Sequence, residues 1–172
     1  MGHSYGAICA LETARRFSVP SLILYEPPLP IRRSLIGPEF EGFRAAVARE
    51  DFDGALTIAL RDIIKMPEEE IEGLKGTPLW VQTAALTPTW IPECEVMQRL
   101  ELGAERFADI GSPILLLLGT ATPPQHKEAC HALQKALPDS TTVEMAGQGH
   151  MAHLTATDDV VAAVDDFLSA SL

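Results

Sequence analysis

The chain has 172 residues, 47% hydrophobic and 22% charged, a mix that fits one globular domain and excludes disordered and collagen-like classes. Thirteen basic against 24 acidic side chains leave a net charge of −11, a field that repels phosphate backbones and anionic headgroups, so neither nucleic acid nor a membrane is an expected partner. No apolar run approaches the roughly 20 residues that cross a bilayer, and Cys9, Cys94 and Cys130 are too few and too widely spaced for a disulfide framework, so the chain reads as a cytoplasmic protein with reduced thiols.

In chain order, Gly2-His3-Ser4-Tyr5-Gly6 runs into an alanine-rich stretch, Ala7 to Phe17, suited to a buried helix. Ser21 to Tyr25 is a short apolar strand of the kind buried in a parallel sheet, stopped by Glu26-Pro27-Pro28. Residues 28 to 110 contain no strand-like run and read as a helical insertion, with helices expected over Pro38–Arg49, Phe52–Ile64, Pro67–Lys75, Pro78–Leu86 and Ile91–Leu102. Trp80 and Trp90 supply apolar surface there for either a core or a pocket. Pro113 to Gly119 then reads as a buried strand, Pro124 to Leu137 as a helix, Thr141 to Met145 as a strand and Asp158 to Ser169 as a helix. Alternating strand and helix means parallel pairing with right-handed crossovers, an α/β class with its core in residues 1–27 and 111–172.

The chemistry starts at Ser4, the serine of a G-x-S-x-G pattern, which holds a serine exposed on a sharp strand-to-helix turn. The bland alternative is a glycine-rich turn without chemistry. A serine hydroxyl is a poor nucleophile at neutral pH and needs a base with something to orient it. Of five histidines, His150 follows a strand and the turn Gly147-Gln148-Gly149, on the sheet edge where Ser4 is presented, and is the candidate base. His3 is expected to point away from the serine, His126 and His131 to sit on an ordinary amphipathic helix, and His153 to be solvated or supporting. Glu26 ends a strand at the same edge and is the candidate acid, against the alternative of a solvated loop carboxylate. The loop Gly119-Thr120-Ala121-Thr122-Pro123 offers no carboxylate, and Asp139 reads as a turn former at the opposite edge. His126, Cys130 and His131 share a helix without a second cluster, so no metal is expected. No phosphate-cradling loop is present, so no cofactor is expected either.

The order of elbow serine, strand ending in Tyr25-Glu26-Pro27-Pro28, helical insertion, strand, helix, strand and Gly147-Gln148-Gly149-His150 resembles the α/β-hydrolase superfamily over the whole chain. The resemblance implies a serine hydrolase that cleaves an ester or related acyl bond of a small, apolar substrate. Ser4 would be the nucleophile, His150 the base, Glu26 the acid, the Tyr5 backbone N–H an oxyanion donor, and residues 28–110 a helical cap or lid. Many relatives carry Asp where Thr122 stands, whereas others, the haloalkane dehalogenases among them, place Glu after the sixth strand, much as Glu26 falls here. A full member has five strands before its nucleophile and takes a second oxyanion donor from among them, so the chain reads as the carboxyl-terminal part of a hydrolase, with Met1 an interior residue or a misassigned start. Two alternatives stand beside this one: a noncatalytic remnant or interaction domain, and a cofactor-free haloperoxidase or carbon–carbon bond hydrolase.

Overall fold

Five successive apolar residues, Ile114 to Leu118, have no polar face to offer solvent, so the strand they form must be covered on both sides. The computed structural model, which describes residues 1–170, shows this for β3 (Ile114–Gly119) and for β2 (Leu22–Tyr25), every residue of which is buried. With β1 (Gly2–His3) and β4 (Ser140–Met145) they form a four-stranded, all-parallel sheet of order β1-β2-β3-β4. Gly2 pairs with Leu24, Leu24 with Leu116 and Leu116 with Thr142, so the carboxyl ends of the strands lie side by side. The fold class is α/β, as expected.

The chain divides into two compact units, Met1–Arg32 with the residues from 102 onward, and Arg33–Glu101. In the first, α1 (Tyr5–Ala14) follows β1, α6 (Pro124–Ala136) links β3 to β4, and α7 (Ala152–Thr155) and α8 (Thr157–Ala170) close the described chain. Alternate strand residues Ile23, Tyr25, Leu115, Leu117 and Met145 cluster with Ala152 and Val160, joined by Val164 and Phe167. Short helical turns at Glu105–Phe107 and Ala152–Thr155 are additions to the expected elements; neither is long enough to show a helical period in the sequence.

The second unit is all helical: α2 (Glu39–Ala48), α3 (Phe52–Ile58), α4 (Glu68–Leu74) and α5 (Pro78–Gln98). Its core gathers Phe40, Phe43, Ala46, Ala55, Ala59, Ile63 and Cys94, with Trp90 packed against them. Trp80 is buried and donates its indole N–H to Asp53 at 2.6 Å, so both tryptophans are engaged in packing. Two expectations are corrected here. The segment expected to be one helix to Ile64 widens after Ile58 into a π turn over Ala59–Ile64, ended by Lys65 at φ 65°. The two helices expected over Pro78–Leu86 and Ile91–Leu102 are one 21-residue helix that carries Pro88 and Pro92 inside it. Proline cannot donate to the carbonyl four residues back, which for Pro88 is that of Ala84. The buried Thr87 hydroxyl donates to that carbonyl instead, at 2.8 Å, so the break is repaired locally.

Candidate active site

Among the described residues, two of the four non-glycine residues with positive φ sit at the carboxyl ends of adjacent strands: Ser4 (φ 52°) after β1 and Glu26 (φ 45°) after β2. Such a backbone costs on the order of 1–3 kcal/mol for a non-glycine residue and persists only where its surroundings enforce it. At Ser4 the enforcement is visible: its N–H donates to the Tyr25 carbonyl at 2.9 Å and its carbonyl accepts from Ala7 at 2.8 Å. A Cβ on Gly2 would collide with the Gly6 carbonyl and the Ala7 backbone, so β1 and α1 pass closely only because that position is glycine. Ser4 therefore stands on a tight strand-to-helix turn, and Tyr5 is the first residue of α1.

Glu26 is fully buried and holds both carboxylate oxygens in fixed contacts. Oε1 accepts from the Gly119 N–H at 2.8 Å, while Oε2 accepts from the Thr122 hydroxyl at 2.8 Å and lies 2.6 Å from His150 Nδ1. Burial by itself pushes the carboxyl upward. The hydrogen bond from His150, that from Gly119, the His150 charge and the Thr122 hydroxyl outweigh it and hold Glu26 below the usual carboxylate range. A Cβ on Gly119 would run into the Gln148 carbonyl, so this position too must be glycine for the two loops to meet.

His150 lies in the loop after β4 and is almost entirely buried. Its ring is flanked by two other imidazoles, His126 stacked at 4.5 Å between centroids and 23°, and His3 at 4.6 Å and 44°. The loop is tied down through its own main chain. The Gln148 carbonyl accepts from the Ala121 N–H at 2.8 Å, the Gly149 carbonyl from the Tyr25 hydroxyl, and the His150 carbonyl from His3 Nε2 at 2.9 Å. The Tyr25 hydroxyl in turn accepts from the Ala152 N–H at 2.9 Å.

The structure thus brings Glu26 and His150 into direct contact and sets Ser4 at the neighbouring strand end. No hydrogen bond joins the Ser4 hydroxyl to His150 among the described residues. Asp139 lies at the other end of the sheet, where its carbonyl accepts from the Ile114 N–H at 2.9 Å. His153 packs against His3, with centroids 4.5 Å apart.

His126, expected on an ordinary helix face, is instead buried against His150. The sequence signal for it is its place in the first turn of α6, directly after the β3 loop and so at the same sheet edge as Ser4. Thr122, read only as a missing acid, is a hydrogen-bond donor to the acid that is present.

Of the helix trio weighed for metal binding, His131 is exposed and turned away from the buried Cys130 and His126. A different trio, Glu26, His126 and His150, holds its donor atoms within 4.8 Å of one another. The two rings in it stack with their planes 23° apart, which keeps their in-plane lone pairs in separate, nearly parallel planes, and Glu26 is already committed to three donors.

No curated protein matches the chain. Among solved structures, an alpha/beta hydrolase from Sphaerobacter thermophilus superposes with a TM-score of 0.75 at 24% identity, covering 86% of this chain and 59% of its own. The enol-lactonase from Burkholderia xenovorans gives 0.72 at 18%, covering 98% and 64%. A thermophilic esterase gives 0.71 at 22%, covering 99% and 65%. The chain spans about three fifths of the length of these structures, and the likeness carries the fold alone. The sequence model of the alpha/beta hydrolase family matches residues 1–164. Four parallel strands, a strained serine elbow and a family match over nearly the whole chain lead to one assignment: this protein belongs to the alpha/beta hydrolase family.

Proposed function

We propose that the protein is a serine hydrolase that cleaves an ester or related acyl bond of a small-molecule substrate. The Ser4 hydroxyl adds to the acyl carbon and passes its proton to Nε2 of His150; the imidazolium returns that proton to the leaving alkoxide, and the acyl group stays on Ser4. Water then repeats the sequence in reverse roles, losing its proton to His150 and freeing the acid and Ser4. Glu26 accepts from Nδ1, keeps Nε2 unprotonated in the resting state and stabilises the imidazolium once it forms. The Tyr5 N–H at the positive end of α1 faces the developing oxyanion.

The observation that supports this reading most is the buried 2.6 Å contact between His150 Nδ1 and Glu26 Oε2 beside a serine held at φ 52°. Both tryptophans of the helical unit are occupied in packing and say nothing about the substrate. A fluorophosphonate probe tests the assignment. Labelling of Ser4 that disappears in both Ser4→Ala and His150→Ala, with p-nitrophenyl ester turnover falling by at least about three orders of magnitude, is the expected result. Unchanged turnover in either variant removes the triad. A second reading, a noncatalytic domain on the hydrolase fold, draws on the absence of a Ser4–His150 hydrogen bond among the described residues; it predicts no labelling at all.

A further inference from the structure

Tyr25 meets the main chain at Ser4 and on both sides of His150 and directly precedes Glu26, without belonging to the proposed triad. Its carbonyl accepts from the Ser4 N–H at 2.9 Å, its peptide leads directly into Glu26, and its hydroxyl bridges the Gly149 carbonyl and the Ala152 N–H on either side of His150. His3, the residue before the serine, stacks on the Tyr25 ring at 4.7 Å and binds the His150 carbonyl at 2.9 Å. Loops of the Gly147 to His150 kind are ordinarily the mobile part of a site. Here the carbonyls of three successive residues, Gln148, Gly149 and His150, are each captured by a group from the β1, β2 or β3 end.

We propose that His3 and Tyr25 are positioning residues for the base: they clamp the main chain around His150 and so fix its ring against Glu26 and toward Ser4. This rests on the serine hydrolase reading for its consequence in turnover, but not for the clamp itself.

The chemistry of the clamp is specific. A carbonyl accepts, so His3 must carry its proton on Nε2 and is a neutral donor. Burial first, then the neighbouring His150 and His153, lower its pKa to about 3, outweighing the bond to the His150 carbonyl and the Glu26 charge. His3 therefore stays uncharged at neutral pH and puts no positive charge against the imidazolium that His150 becomes during turnover. A lysine or arginine reaching the same carbonyl would hold the loop and oppose the chemistry.

The experiment has two arms. The first follows the downfield proton resonance of the His150 Nδ1–H, identified by its loss in His150→Gln, and needs no catalysis. In Tyr25→Phe, which keeps the ring and loses only the hydroxyl, exchange of this proton with water is expected to rise at least about tenfold. The second arm measures ester turnover: kcat is expected to fall about 10- to 100-fold, the scale of an ångström-level misplacement, with KM within about twofold. His3→Leu should follow Tyr25→Phe in both arms, and His3→Gln, which keeps a donor for the His150 carbonyl, should recover most of the loss. Tyr25→Phe and His3→Leu proteins that fold and keep the wild-type exchange rate overturn the clamp. So does His3→Gln behaving as badly as His3→Leu, since bulk rather than the hydrogen bond would then be at stake. If Ser4 is not the nucleophile, the turnover arm is silent while the exchange arm still decides.

Discussion

Replacing Glu26 by glutamine keeps the shape of the site and changes one proton. Oε1 must remain an acceptor, because the Gly119 N–H points at it from 2.8 Å. The new NH₂ therefore takes the place of Oε2, facing the Thr122 hydroxyl and His150 Nδ1 at 2.8 and 2.6 Å. The threonine can turn its hydroxyl and accept. His150 can accept only by moving its ring proton from Nδ1 to Nε2, which leaves Nε2 unable to take the proton of Ser4. The same tautomer reversal in a serine protease triad lowers turnover about 10⁴-fold, equivalent to about 5.4 kcal/mol of transition-state stabilisation. Folding should suffer much less, by about 1–2 kcal/mol, because every polar group keeps a partner and only the charge assistance is lost. That stability gap has a predictable pH course. The folded pKa of Glu26 lies below its ordinary value of 4.5, so the gap is fully present above that value and closes as the pH falls through the lowered one. Ester turnover against pH and urea unfolding of both proteins measure the two effects separately. Turnover of Glu26→Gln within tenfold of wild type, in a folded protein, refutes the argument.

Acid stability should report on His3. Its folded pKa of about 3 against an ordinary 6.5 means that the unfolded chain binds the extra proton between those values, so stability falls as the pH drops from 6.5 toward 3, by at most about 1.4 kcal/mol per pH unit. His3→Phe should flatten that slope in thermal melts taken across the range, and an unchanged slope would count against a half-buried neutral imidazole. In α5, Thr87→Val leaves the Ala84 carbonyl without the hydroxyl that satisfies it. A loss of about 1–3 kcal/mol is expected by urea titration, whereas a neutral effect would mean that the helix absorbs Pro88 some other way.

The parts of the fold that were legible in the sequence are those whose pattern follows from burial alone. Ile114 to Leu118 can only be a covered strand, and the spacing of Val160, Val164 and Phe167 only a helix with one packed face. Glu26 and His150 were legible because strand ends and glycine turns mark the edge of a parallel sheet where side chains can meet. What was not legible depends on single side chains that repair or exploit an exception. Pro88 reads as a break, whereas the Thr87 hydroxyl beside it satisfies the carbonyl that the proline leaves open. Tyr25 reads as strand filler because its backbone obeys the strand pattern, while its function in the structure is at the hydroxyl. His126 reads as one face of an amphipathic helix, since neither hydropathy nor spacing shows that its first turn abuts the loop of another strand.

The Thr122 hydroxyl and the His150 ring converge on one oxygen of Glu26. An acid supplied from after β3, at residue 122, would thus reach toward the same imidazole nitrogen as one supplied from after β2. Either layout would leave the base in the same place. The intermediate carrying both carboxylates is the awkward one: two acids crowded into a buried space force one of them to keep its proton. That protonated partner would do what Thr122 does now, donating to its neighbour.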